Sequence, residues 1–354
     1  MDQDSAARFT CLSEDGVSLS VSTYLNNASI YYICYLPPKT GGELVNLQAV
    51  ATLNQMGVRA VALVNGNTQT NDLPDGLVLP LERMGPDRRF RPDDIIVIPE
   101  YYRDAFRHFA TVPCHRIAHT QGPFLTFRGF DSIQNMNANG LYAGITCSTF
   151  GKDMMLRMGS NLTWQVVTPF VHPLFHEREV AKKLQVAYIP DKRPKEAPVV
   201  YSLFRQMYPE FNNVPWMPIV GMSRRACADV MAESAVFASF SYLEGLGLPP
   251  LEAMSSGCLV CGFDGHGGSD YARPDNGLWV KEGDHGGFAH AVAAALKLCQ
   301  AGGDETKRQL TAGKKTAALY SRSRFERELL AAWRIIIGER WQDYLLTTQL
   351  KASG

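Results

Sequence analysis

The feature that most constrains this chain is an alternation of short, wholly apolar runs with longer segments of helical period. "IYYICYL", from Ile30, is followed by a Pro/Gly loop, then by apolar Leu44, Leu47, Val50, Ala51 and Leu53, then by Gly57 and "VRAVALV". Apolar residues at three- and four-residue spacing form one helical face, and a glycine ends such a helix. The flanking runs are apolar on both faces, as strands are when covered from both sides; joining two in parallel needs a crossover helix. The spacing predicts a βαβ unit.

The pattern recurs. "DDIIVIPE", "CHRIAHTQGP", "GITCSTF" and "WQVVTPFVHPLFHE" contain further strands, with helices at "YYRDAFRHFA" and "GKDMMLRMG". Prolines mark a linker near residues 169–178, after which strands ("LQVAYIP", "VPWMPIVG", "AVFASF", "GCLVCGFD", "NGLWVKEGD") alternate with helices ("APVVYSLFRQMY", "SRRACADVMAES", "GGFAHAVAAALKLC"). The alternating "VSLSVSTY" near the start predicts a leading strand or hairpin. A last helix is expected from Ser323, with a capping box of Ser323 and Glu326 and a break at Gly338. A chain of 354 residues exceeds one ordinary core. The expectation is an α/β protein of two Rossmann-like βαβ domains, residues 1–170 and 171–322, facing across a cleft. Ligands of such sheets bind beyond the carboxyl ends of the strands.

Composition narrows the partners. The 35 basic and 35 acidic residues cancel, so no overall field draws in nucleic acid or an anionic membrane, and a small-molecule or neutral partner is favoured. The N-terminal stretch "MDQDSAARFTCLSED" lacks the apolar core of a signal peptide, and no apolar run approaches a membrane span. Eight irregularly spaced cysteines read as reduced thiols of a cytoplasmic protein. Cys258 and Cys261 fall on opposite faces of a strand, and the histidine pairs 115/119 and 172/176 lack a shared helical face, so no metal site is expected. The "DQD" of residues 2–4 precedes any strand and reads as a frayed terminus.

The chemistry concentrates in "SYLEGLGLPPLEAMSSG", which follows an apolar strand. Glu244 sits in a glycine-punctuated loop, and Glu252, with seven residues between the two, falls inside a helix that ends at Gly257. Gly245 and Gly247 permit a tight turn, and Pro249 suits the start of a helix. Gly247 and Leu248 would then present N–H groups at a helix entrance, which attracts phosphate. Carboxylates accept hydrogen bonds from paired hydroxyls. A diphosphate flanked by two hydroxyl-rich groups describes a nucleotide sugar.

This stretch resembles the E-x7-E signature of retaining "group 1" glycosyltransferases of the GT-B fold, and "GFDGHGGSDYARPDNGLWV" resembles the strand, double-glycine loop and strand that follow it in that family. The resemblance covers Leu184 to Asp284 most fully, and extends to "PPKTGGE", "VTPFVHPLF" and the interrupted last helix, which implies that residues 323–354 cross back onto the first domain. It implies a metal-independent glycosyltransferase with no cofactor, moving a sugar from a nucleotide diphosphate to a glycan or lipid-linked acceptor, in glycan or cell-surface polysaccharide synthesis. Peripheral association with a membrane stays open.

The resemblance also implies site residues. Glu244 would hold donor-sugar hydroxyls, Glu252 the ribose, and Gly245, Leu246, Gly247 and Leu248 the diphosphate. Gly41 and Gly42 would form a loop at the cleft, with His119 beside the donor sugar and Gln121 as a further cleft candidate. His266 reads as incidental. One departure stands out: Asp191 lies where the family carries an arginine, so Lys192, Arg193 and Lys195 are the candidates for neutralising the leaving group. A GT-B epimerase or hydrolase, and a non-catalytic protein that binds a nucleotide sugar or a partner enzyme, remain alternatives. "GLGLPP" and "GHGG" do not make a dinucleotide-binding GxGxxG.

Overall fold

The computed structural model describes residues 28–38, 40–64, 73–85, 88–176 and 178–346. The first sheet takes its strands and helices in the order β1 (Ile30–Cys34), α1 (Gly41–Gln55), β2 (Ala60–Val64), β3 (Leu81–Arg83), β4 (Ile95–Pro99), α2 (Arg103–Phe109), β5 (His115–Thr120), α3 (Thr126–Gly129), α4 (Ile133–Asn137), β6 (Ala143–Thr146), α5 (Thr149–Arg157) and β7 (Trp164–Val166). Its seven strands run parallel in the order β3-β2-β1-β4-β5-β6-β7. The second comprises β8 (Lys183–Tyr188), α6 (Glu196–Met207), β9 (Trp216–Pro218), α7 (Arg224–Glu233), β10 (Ser234–Phe240), α8 (Leu248–Ser255), β11 (Leu259–Phe263), β12 (Leu278–Trp279), α9 (His285–Ala301) and α10 (Asp304–Ala318). Its five strands are also parallel, in the order β12-β11-β10-β8-β9.

Both sheets are covered on both faces, which is why their strands read as unbroken apolar runs. In the first, Tyr32, Val97 and Ile145 face α1, whereas Ile96, Ile98 and Ala118 face α2 and α5. In the second, Val236 and Ala238 join the α6/α9 side, and Phe237 the α7/α8 side. Cys258 and Cys261 accordingly lie in different clusters, both as free thiols.

The last helix, α11 (Arg322–Ile337), begins earlier than its sequence suggests. Ser321, not Ser323, is its cap, accepting a hydrogen bond from the Arg324 amide. Phe325, Leu329, Trp333 and Ile336 pack into the α1 side of the first sheet, where Trp333 Nε1 donates to the Tyr32 hydroxyl at 3.1 Å. Gly338, at φ +59°, then breaks the helix before a short 3-10 turn and α12 (Trp341–Tyr344). The segment "VSLSVSTY" and the "DQD" lie outside the described residues. Among the described residues, no helix is long and apolar enough to cross a membrane.

Candidate functional site

Strand β10 is buried along its whole length and delivers the chain into the loop 241–247. Leu243 turns there at φ +49°. Glu244 pairs as an isolated parallel bridge with His266, its amide donating to the Gly265 carbonyl at 2.9 Å. Gly245 approaches the first sheet so closely that a Cβ at this position would overlap the Gln121 carbonyl oxygen. Its own carbonyl accepts a short hydrogen bond from Ser148 Oγ. The loop 241–247 of one sheet is thus fastened to the strand ends of the other.

Helix α8 opens with Leu248, and Gly247, at φ +82°, precedes it. Pro249 and Pro250 therefore occupy the second and third helical positions rather than the first. Neither has an N–H, so of the donors that a helix start leaves unbonded, the amides of Gly247 and Leu248 remain. On the opposing wall, Gly41 and Gly42 are not a loop, as the sequence suggested, but the first two residues of α1. Thr40 caps that helix in a reciprocal box with Glu43, which uses the Glu43 amide and leaves those of Gly41 and Gly42. Two helix entrances thus line one cavity of ≈390 Å³, each offering two amides and the positive end of a helix dipole.

Glu244 and Lys192 line the same cavity, with Lys192 Nζ 3.3 Å from Glu244 Oε1. Among the described residues lining it, the cations are Lys192 and Arg128, and the acids are Glu43, Glu100 and Glu244.

Arg193 is not among them. It is 3% exposed, its guanidinium paired with both oxygens of Glu196 and both of Glu282 at 2.6–2.9 Å, and it lies over the Tyr242 and Phe263 rings. Its Nε donates to the Ser241 carbonyl at 3.0 Å, so the side chain props the start of the Glu244 loop. Lys195 is exposed at the start of α6, and Asp191 is exposed in the preceding turn; neither lines the cavity.

Two other expected residues lie apart from the cavity. His119 is 3% exposed, its ring edge-on to Tyr32, with Nδ1 buried and unpartnered. Burial lowers its pKa to about 4, so the ring is neutral at physiological pH. Glu252 is half-buried near Arg224 of α7; burial raises its carboxyl to about 7 while Arg224 pulls it down. Gln121 does line the cavity, donating to the Gly42 carbonyl at 2.9 Å and to Asn46 Oδ1 at 2.8 Å. His266 lies outside it, against Phe124.

The sequence reading missed Glu100, which follows β4. It is 1% exposed; Oε1 accepts from the Gln121 and Gly122 amides at 3.1 and 2.8 Å, and Oε2 is buried without a partner. Burial outweighs these bonds and raises its pKa to about 7. The signal was its position, an acid immediately beyond a parallel strand's carboxyl end. Glu43 was likewise legible in "TGGE" as a capping box. Among the described residues, no group of three His, Cys, Asp or Glu is placed to hold a metal ion.

Two facing parallel sheets, with a polar cleft at their strand ends and a terminal helix returning to the first, define the GT-B class of glycosyltransferase folds. The sequence profile described as "Glycosyl transferases group 1" matches residues 218–315. An alpha-1,6-glucosyltransferase of Actinobacillus pleuropneumoniae is 32% identical over 272 residues, covering 75% of this chain and 82% of the relative. Similar solved structures include Anabaena HepE in complex with UDP (TM-score 0.66, 14% identity, 87% of this chain and 100% of that one). The sucrose-phosphate synthase of Thermosynechococcus elongatus gives a TM-score of 0.64 at 12% identity, over 87% of this chain and 99% of that one. The chain belongs to the group 1 glycosyltransferases.

Proposed function

We propose that this glycosyltransferase moves glucose from UDP-glucose to the 6-hydroxyl of a sugar acceptor, with retention of configuration. The observation that carries the reading is the convergence of the α1 and α8 entrances on one cavity with Glu244 and Lys192. The amides of Gly41, Gly42, Gly247 and Leu248 suit the diphosphate, with Leu246 and Gly245 shaping its wall. Lys192 and Arg128 supply the positive charge, and Glu244 takes the donor-sugar hydroxyls. In the reaction, the bond from the sugar's anomeric carbon to the diphosphate oxygen breaks as the acceptor O6 bonds to that carbon from the same face. The O6 proton passes to the departing phosphate, so charge and atoms balance.

The choice of donor and linkage is supported by the relatives. HepE has been solved with UDP-glucose, and the Actinobacillus enzyme is named for an alpha-1,6 linkage. Glucose is α-linked in UDP-glucose, so an α product means retention. Glu252 is proposed for the ribose, and transfer is proposed to need no metal, since amides and two cations can carry the leaving charge. The setting we propose is glycan synthesis in the cytoplasm. A binding-only reading draws on the sequestration of Arg193, which leaves the cleft fewer cations.

The test incubates the protein with UDP-glucose and methyl α-glucoside in EDTA, following UDP release and the proton NMR signal of the new anomeric centre. An α-1,6 product supports the reading. A β product would overturn retention, and tight UDP-glucose binding without transfer or hydrolysis would favour the binding-only reading.

A further inference from the structure

Beyond β11, the 3-10 turn Gly267–Asp270 leads to Tyr271, a residue that does not line the cavity of Glu244 and Lys192. Tyr271 is 3% exposed, and its ring lies edge-on to Trp279 and Tyr320, with centroids 6.0 and 5.9 Å apart. Its hydroxyl donates to the Gly247 carbonyl at 2.7 Å. Burial raises the hydroxyl's pKa well above its ordinary value, and the Glu244 carboxylate adds to the effect, so the proton stays in that bond.

Two anchors hold the backbone that carries this phenol. Asn276, 2% exposed, spends its whole side-chain amide there. Its Nδ2 donates to the Tyr271 carbonyl at 2.7 Å and to Thr316 Oγ1 at 3.0 Å, while Oδ1 accepts from Trp279 Nε1 at 2.9 Å and from the Arg273 amide at 3.0 Å. On the other side, the Asp270 carboxylate accepts from the Thr149 and Phe150 amides of α5 at 2.8 and 2.9 Å. A fully satisfied buried network of this kind is rigid, and it delivers one hydroxyl to one carbonyl.

That carbonyl belongs to the peptide whose other end is the Leu248 N–H. Gly247, at φ +82° and ψ +81°, allows this peptide more rotational freedom than any other residue would. The peptide is trans, so its C=O and N–H point in opposite directions. With the C=O tied to the buried Tyr271 hydroxyl, the N–H is turned away from Tyr271 and towards the cavity that Leu248 lines.

We propose that Tyr271 is a positioning residue for the donor: its hydroxyl fixes the Gly247–Leu248 peptide so that the Leu248 N–H meets the diphosphate. The proposal rests on the reading above, in which the α8 entrance takes the diphosphate of UDP-glucose. Tyr271 acts through the peptide and touches no substrate.

Calorimetric titration of the full chain with UDP and with uridine tests it, in the wild type and in Tyr271→Phe, which removes the hydroxyl alone. The substitution should weaken UDP binding about tenfold, the order expected for one hydrogen bond to a charged group, and leave uridine binding unchanged. A variant that binds UDP as the wild type does, or that loses as much affinity for uridine as for UDP, overturns the role of Tyr271. A second measurement needs no variant. The Leu248 amide proton, followed by NMR in protein isotope-labelled at leucine, should move downfield with UDP and stay in place with uridine. A resonance that UDP leaves unmoved overturns the proposal even where Tyr271→Phe fails to fold. A wild type that binds UDP no better than uridine sinks the diphosphate reading itself, whereas an unaffected Tyr271→Phe beside a UDP-binding wild type sinks Tyr271 alone.

Discussion

Lys192 Nζ stands 3.3 Å from Glu244 Oε1, so the cleft's lysine rests on its loop carboxylate. Both groups are open to solvent in part, so the pair contributes little to stability, about 0–1 kcal/mol. In the proposed reaction a bound donor draws Lys192 to phosphate and frees Glu244 for hydroxyls, which makes the pair testable. Glu244→Gln should lower kcat by about a hundredfold or more, in the range of losing one transition-state contact. Lys192→Ala should mainly raise the KM for donor. Steady-state kinetics that show unchanged kcat in Glu244→Gln would remove that residue from the mechanism.

Arg193 makes a different prediction, because its charge is spent internally. Arg193→Met should destabilise the protein by about 3 kcal/mol, the low end for breaking a buried pair, since the glutamates are partly exposed. Arg193→Lys cannot span Glu196, Glu282 and the Ser241 carbonyl together, so it should rescue little. Thermal melts measure both. An Arg193→Met protein that melts like wild type but has lost donor affinity would return Arg193 to the diphosphate.

Glu100 predicts a pH dependence. Its carboxyl rises from 4.5 to about 7 on folding, so the native state binds the proton more tightly than the unfolded chain. Its contribution is fully present below pH 4.5 and is lost as pH rises towards 7, amounting to about 3 kcal/mol. Glu100→Gln keeps an acceptor for the Gln121 and Gly122 amides, and should therefore gain stability relative to wild type across that window. Denaturant midpoints taken from pH 5 to 8 decide it; a constant difference between the two proteins would refute the shift.

His119 works in the opposite sense. Its pKa falls from 6.5 to about 4 on folding, so its contribution is present above pH 6.5 and is lost as pH drops towards 4. His119→Phe should resist acid better than wild type while changing kcat by less than about threefold, well short of the 10²–10⁴ expected of an acid–base group. A hundredfold fall in kcat would place the imidazole in the reaction after all.

The parallel sheets were legible because burial on both faces leaves strands such as Ile95–Pro99 without polar punctuation. Helix α10 was not. Its segment "DETKRQLTAGKKTAA" is largely polar, and the contact it makes through Gly313 with Met254 of α8 is visible only in three dimensions. The same division runs through the site. Glu244 could be read because its loop, glycines and helix are contiguous. The Glu100–Tyr101 turn after β4, Asn46 of α1 and Arg128 of α3 reach the cavity from three separate places around the first sheet, and no local spacing betrays that they converge. Arg193 shows the converse: a basic loop does not reveal which cation turns inward to meet carboxylates 3 and 89 positions away.

The hydrogen bond from Trp333 to Tyr32 joins residues 301 positions apart. During vectorial synthesis, β1 emerges well before α11, which supplies the wall that seals its α1 side. Until then the nascent sheet presents Tyr32 and its apolar neighbours to the surrounding medium. The first of the two domains to be made is therefore the later to be completed, and its apolar side must be kept from aggregating until α11 has been made.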